Sequence, residues 1–249
     1  MITLKSRREL GIMRDANRIV GEILRELKPL CRPGVTTEEL DRFAEEKTLR
    51  LGAKPAFKGY RGYPKSLCTS INQEVVHGIP CDRVLVDGDI VSLDFGVVYQ
   101  GYCGDSALTV PIGDISPEIQ KLLLVTEESL YLGIDQMMPD NHLSDISRAI
   151  QTHAESHGFS VVKEYGGHGI GKKLHEEPML LNYVVNGRGP KLKPGLVLAV
   201  EPMINLGTDK VQLLSDGWTV VTADGQPSAH FEHTVAITDN GSEILSKIT

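Results

Sequence analysis

One arrangement of residues occurs twice along the chain in the same order, and it narrows the possible folds more than any other feature. GDIVSLD, from Gly88 to Asp94, is matched by GLVLAVE, from Gly195 to Glu201, each an apolar run that opens on a turn glycine and ends in an acid. His77-Gly-Ile79 is echoed by His168-Gly-Ile170, and Asp105, ahead of ALTV, is echoed by Glu232, ahead of TVAI. The order His, acid, acid therefore appears in both halves. This points to an internally duplicated domain with its functional site on a pseudo-twofold axis. Residues 1–249 read as one domain whose halves span about 1–112 and 113–249, with no linker or low-complexity stretch between them.

The elements between these motifs follow the same repetition. Ser6 with Glu9 forms a capping box ahead of Leu10, Met13, Ile19, Val20, Ile23, Leu24 and Leu27 at helical spacing, and Pro29 ends that helix. A second helix starts at Thr36 or Thr37, carries Leu40, Phe43, Ala44 and Leu51, and stops at Gly52. Segments 66–71, 90–95 and 105–111 read as strands. A second helix pair is expected over 118–137 and 142–157, opened by Pro117 and closed by Gly158, before strands return at 196–204, 218–222 and 233–238.

Composition excludes some functions. The net charge of −7 gives no general attraction for nucleic acid, so no specific nucleic-acid partner is expected. The first ten residues, MITLKSRREL, lack a signal-peptide core, and no apolar run is long enough to span a bilayer. Cys31, Cys68, Cys81 and Cys103 form no CxxC pair and read as reduced thiols of a cytoplasmic, membrane-free protein.

The chemistry lies in the acids. Asp94, Asp105, Glu201 and Glu232 sit at or beside apolar strands, where a carboxylate must be solvated, paired or bound to a cation. Brought to one axis, their repulsion would raise their pKa values unless two divalent cations neutralised them. With His168 as a fifth ligand the set is oxygen-rich with one imidazole and no thiolate, which suits Mn²⁺, Fe²⁺ or Co²⁺ at least as well as Zn²⁺. Three other sites are excluded. Gly166 to Lys172 fits GxxxxGK, but Lys173 stands where a P-loop needs Ser or Thr, and Pro178 would interrupt the helix that follows. His175-Glu-Glu-Pro178 is not a zinc-binding HExxH helix, because Met179 takes the second histidine's place, and there is no GxSxG elbow. The glycines of 166–171 instead let backbone pass close to a site. His142, His153 and His157 fall on expected helices as surface or packing residues.

These motifs together resemble one family over essentially the whole chain, the type I methionine aminopeptidases of the pita-bread fold. The matching segments are SINQEVVHGIP, VSLDFG, YCGDSALT, GGHGIGKKLHEEP, LAVEPM and FEHT. The resemblance implies an α+β fold in which two helix pairs cover an antiparallel sheet. It implies a single catalytic domain that removes the initiator methionine from nascent proteins, preferring a small second residue. It makes Asp94, Asp105, His168, Glu201 and Glu232 the ligands of two divalent ions (Co, Mn, Fe or Zn), with Asp105 and Glu232 bridging. A hydroxide held between two metals, roughly 3.5–4 Å apart, would attack the scissile carbonyl, with Glu201 as proton shuttle. His175 then faces the developing oxyanion and His77 the following peptide group.

The same resemblance assigns Tyr60, Tyr63, Cys68 and Trp218 to a methionine pocket. Phe57, where cysteine is common, and Leu174, where phenylalanine is common, depart from the family pattern and reshape its walls. Asn72 and Ser228 match a site for one Na or K ion. The short start before Leu10 leaves no room for a zinc-finger extension, so any ribosome association would be transient, and a monomer is expected. A prolyl peptidase of the same fold would resemble a larger chain, and a non-catalytic relative would lack metal ligands that are all present here.

Overall fold

The computed structural model describes residues 1–247. Two capping boxes set its first helices. Helix α1, Arg7–Leu27, opens with Ser6 and Glu9 satisfying each other's backbone N–H groups, and helix α2, Thr37–Arg50, opens with Thr36 and Glu39 doing the same. Pro29 falls in a short 3₁₀ turn, Lys28–Leu30, that continues from α1. Helix α3, Pro117–Asp135, starts on Pro117 with Ser116 as its cap, and helix α4 covers Leu143–Ser156. Among the described residues no helix is long and apolar enough to cross a membrane.

A nine-stranded antiparallel sheet carries the site. Its main path runs Lys54–Pro55, Ile90–Tyr99, Tyr102–Pro111, Glu232–Thr238, Val197–Val200, Gly166–Gly169 and Glu176–Leu181, with Leu67–Ile71 paired to Ile90–Tyr99 and Gly241–Ile244 to Glu232–Thr238. Two smaller sheets flank it, one of Ser160–Val161, Met203–Asn205 and Ser228–His230, the other of Glu74–Val76, Val211–Leu213 and Val220–Thr222.

Each helix pair has its own core. Val20, Ile23 and Leu24 of α1 and Leu40 of α2 pack with Leu93 and Phe95, whereas Leu122 and Leu130 of α3 and Ile146 and Ile150 of α4 pack with Leu198 and Val235. Ladder pairs join the two regions at Glu232↔Ala107 and His233↔Ser106.

The structure corrects three sequence expectations. Segment 196–204 is two strands in different sheets, because Pro202 supplies no N–H and holds Glu201 out of the regular ladder. Val220–Thr222 starts later than expected, since Asp216 accepts the N–H groups of Trp218 and Thr219 in a turn. The glycine-rich segment is itself a strand, Gly166–Gly169, paired with a second unanticipated strand, Glu176–Leu181.

Candidate metal centre and substrate pocket

A hairpin and the junction between the two regions bring the acids together. Asp94 sits between Cys68 and Ala107 on neighbouring strands, and Asp105 faces Gly96 on the next strand of the same hairpin. The Glu232↔Ala107 pair sets Glu232 beside them. His168 pairs with Ala199, two residues before Glu201. Asp105, His168 and Glu232 each offer a ligand atom within 4.8 Å of the others, and His168 Nε2 is 3.5 Å from Glu201 Oε1.

The local backbone explains why glycines surround His168. A Cβ on Gly167 would collide with the carbonyl of Ala199, and one on Gly169 with that of Glu177. The strand that carries the imidazole is wedged between two others and tolerates no side chain on that side. His168 Nδ1 lies 3.0 Å from the Gly169 carbonyl. A carbonyl only accepts, so Nδ1 holds the proton and Nε2 presents its lone pair toward the acids. Burial and the nearby His175 hold His168 down to about 4, keeping it neutral.

The carboxyls show the opposite perturbation. Burial pushes Asp94 up to about 7. Burial, then repulsion from Asp94 and from one another, pushes Asp105, Glu201 and Glu232 well above the usual carboxylate range. Asp94 Oδ1, Asp105 Oδ1 and Glu232 Oε1 are buried with no hydrogen-bond partner among the described residues. Orphaned oxygens beside an imidazole lone pair fit divalent cations, which would supply both the missing partners and the missing charge.

The same cavity, of about 280 Å³, is lined by all five of these residues and by Phe57, Tyr60, Tyr63, Cys68, His77, Leu174, His175 and Trp218. Every residue expected at the metal cluster or in the pocket thus borders one space. Tyr63 and Trp218 meet edge to face at 5.1 Å, and His77 packs edge-on to Trp218 at 6.2 Å. His77 adopts a left-handed φ of 61°, an uncommon conformation for a non-glycine residue that the surrounding packing has to hold. Burial draws His77 down to about 4. Phe57 lies over Gly96, where a Cβ would come within 2.8 Å of its ring.

Tyr60 does more than wall the pocket, since its hydroxyl lies 2.8 Å from His175 Nδ1 and the two rings stack with centroids 5.3 Å apart. Burial, and then the nearby Arg61, lower the pKa of His175. Asn72 and Ser228 are joined by a Ser228 N–H to Asn72 carbonyl bond of 2.9 Å, away from this cavity. The Asn72 amide already pairs with Asp89 and the Ile90 N–H, so backbone carbonyls and the Ser228 hydroxyl oxygen, which donates to the Ile204 carbonyl, are what that place could offer a cation.

Sequence reasoning missed several neighbours. Arg61 and Tyr165 also line the cavity, and nothing in their local pattern marks them; Met203 lines it too, at the end of the LAVEPM segment, without having been assigned to the pocket. His230 is 1% exposed, 3.8 Å from Glu201 Oε2, and lies two residues before Glu232. The chain leaves the strand Ser228–His230 at Phe231 and re-enters another sheet at Glu232, so no local period links His230 to Glu201.

Buried carboxylates around a neutral imidazole, opening into an apolar pocket, define the centre of a metal-dependent hydrolase. Residues 11–239 match the model of metallopeptidase family M24. Methionine aminopeptidase 1 of Bacillus subtilis is 55% identical over 248 residues and the enzyme of Clostridium perfringens 54% identical over 248, each alignment covering 100% of both chains. The crystal structure of the Thermotoga maritima methionine aminopeptidase superposes with a TM-score of 0.98 at 44% identity, covering 100% of both chains. A prolidase from Pyrococcus horikoshii shares the fold alone, at 22% identity and a TM-score of 0.79. The chain belongs to metallopeptidase family M24 and, within it, to the methionine aminopeptidases. It is a hydrolase with the pita-bread fold of that family, and the family binds divalent metal.

Proposed function

We propose that the chain hydrolyses the peptide bond after the initiator methionine of new proteins, using two divalent ions held by Asp94, Asp105, His168, Glu201 and Glu232. The observation that carries this reading is one cavity walled by aromatic and apolar side chains and floored by unpaired acid oxygens. Asp105 and Glu232, which offer ligand oxygens within 4.8 Å of each other at the junction of the two regions, would hold both ions. Co, Mn, Fe and Zn all accept the donor set. Bound there, such ions supply Lewis acidity toward the scissile carbonyl and acidify the attacking water.

The protein's own groups do the rest. Glu201, whose two oxygens face His168 and His230 at the edge of the cluster, takes the water's proton on its carboxylate and returns it to the leaving amine. The Tyr60 hydroxyl has His175 Nδ1 as its hydrogen-bond partner and donates to it, which leaves Nε2–H of His175 to donate to the developing oxyanion. His77, fixed by its strained backbone, addresses the following peptide group. Phe57, Tyr63, Cys68, Leu174 and Trp218 enclose the thioether.

In this reading the chain is one catalytic domain of two pseudo-twofold halves, about 1–112 and 113–249, acting as a monomer in the cytoplasm on nascent N-termini during transient encounters with ribosomes. A Na or K ion would rest on backbone carbonyls near Asn72 and Ser228.

The test is metal analysis of protein purified without added cobalt, with hydrolysis of Met-Ala-Ser and Met-Leu-Ser followed side by side. Two ions per chain, loss of activity with chelator, its return with Mn²⁺, Fe²⁺ or Co²⁺, and preference for Met-Ala-Ser are expected. Full activity in metal-free protein, or equal rates on the two peptides, would refute the reading.

A further inference from the structure

His230 is the most buried ionisable group beside the acid cluster that the proposed chemistry leaves without a task. Among the described residues neither ring nitrogen has a hydrogen-bond partner, although His230 is only 1% exposed. A neutral imidazole always carries one N–H, and leaving that donor unpaired away from water is costly. The ring is not free to search for a partner. On the neighbouring strand, Thr109 Oγ1 accepts the His230 backbone N–H at 2.9 Å and donates to the His230 carbonyl at 2.8 Å, clamping the backbone on both sides. From that fixed position Nε2 lies 3.8 Å from Glu201 Oε2, while the other oxygen of Glu201 lies 3.5 Å from His168 Nε2. The main chain of Glu201 is held as well, its carbonyl accepting Asn182 Nδ2 at 2.9 Å.

We infer that His230 is a positioning residue for Glu201: a short approach that closes the 3.8 Å gap lets its Nε2–H donate to Oε2 and turns Oε1 toward His168 and the cation side of the cluster. This rests on the reading of Glu201 as a metal ligand. A carboxylate with one oxygen anchored by a buried donor presents the other in a single orientation, so a cation meets a preformed site. A site left to find that orientation for itself binds less tightly.

The experiment compares the full-length protein with His230→Leu and His230→Gln. Each is freed of metal by chelation, titrated calorimetrically with Mn²⁺, melted without metal, and assayed on Met-Ala-Ser. His230→Leu should lose on the order of 10–100-fold in Mn²⁺ affinity. Its kcat should fall more than its KM changes. Its metal-free Tm should stay near wild type, because the lost contact with Glu201 is offset by replacing a ring whose Nδ1 has no partner with an apolar side chain of similar reach. His230→Gln, which keeps a donor, should recover most of the affinity and of kcat.

Wild-type Mn²⁺ affinity and kcat in His230→Leu would overturn the inference, as would a lowered metal-free Tm with unchanged affinity, the signature of packing alone. A His230→Gln variant as impaired as His230→Leu would make the imidazole a ligand rather than a positioner and overturn it too. Failure of the unsubstituted protein to bind Mn²⁺ would remove the metal reading itself, and this inference with it.

Discussion

Helix α1 is built against the hairpin that carries Asp94 and Asp105, and Gly104→Ala measures how tightly. A Cβ on Gly104 would lie 2.9 Å from the carbonyl carbon of Ala16 and 2.9 Å from the amide nitrogen of Asn17. Carbon contacts are most favourable at roughly 3.5–4.0 Å, so helix and strand must part by roughly 0.6–1.1 Å. Over-packing of this kind costs about 1–3 kcal/mol. The movement also stretches the bond from the Asp105 N–H to Asn17 Oδ1, already 3.2 Å long. Losing one buried hydrogen bond adds about 1 kcal/mol. Together these predict a loss of about 2–4 kcal/mol, and at about 2–4 °C per kcal/mol for a chain of this size a Tm lower by about 4–16 °C. Thermal unfolding followed by circular dichroism, with chelator and with Mn²⁺, reads both effects. The stabilisation conferred by Mn²⁺ should shrink as well, because Asp105 travels with its backbone. A Tm within about 2 °C of wild type, about 1 kcal/mol or less, would refute the packing argument. A lower Tm with undiminished Mn²⁺ stabilisation would show that the helix does not position the ligand.

Other outcomes follow from the same geometry. His175→Ala, checked for folding and bound metal, should lower kcat on Met-Ala-Ser by about 10²–10³, the usual cost of one oxyanion donor, with metal content unchanged; near-wild-type kcat would end that assignment. Tyr60→Phe should lower kcat less, since His175 keeps its ring but loses the partner of Nδ1, and a variant indistinguishable from wild type would show that the hydroxyl does not orient it. Leu174→Phe adds bulk to a buried wall of the cavity and should raise KM for methionyl peptides more than it alters kcat; unchanged values of both would place the side chain outside the substrate's reach. Asp105→Asn should lose metal, because a neutral amide cannot bridge two cations, and two tightly bound ions in that variant would count against the bridging role. The raised carboxyls make the metal-free protein pH-sensitive. Asp94 binds its proton more tightly when folded, since burial pushes it up to about 7 from its ordinary 3.8, so folding takes up protons and stability is lost as pH rises through that window. Chelated protein should therefore melt progressively lower from about pH 4 to about pH 7, and Mn²⁺ should flatten the slope; a metal-free Tm that rose across that range would contradict the buried-acid picture.

Much of the molecule was legible in the sequence wherever its rule is local. Ser6 with Glu9 marks a helix start because the box closes within one turn, and the start left open between Thr36 and Thr37 falls with Thr36 as the cap and Glu39 closing a second box. The apolar runs before Asp94 and Glu201, the acids themselves and the motif around His168 could be read in order. The resemblance they carry agrees with the family to which the chain belongs. What the sequence left open depends on partners far along the chain. Gly166–Gly169 forms a strand despite weak intrinsic preference, because its missing side chains let two neighbouring strands close on it. Pro202 splits one apolar run between two sheets. Tyr60 finds His175 across 115 residues, and Thr109 clamps His230 across 121. Caps, turns and periodic faces are decided by neighbours within a few residues, so composition and spacing reveal them. The partner of a buried hydroxyl or imidazole is decided by which strands the whole sheet sets side by side, and only the tertiary structure holds that information.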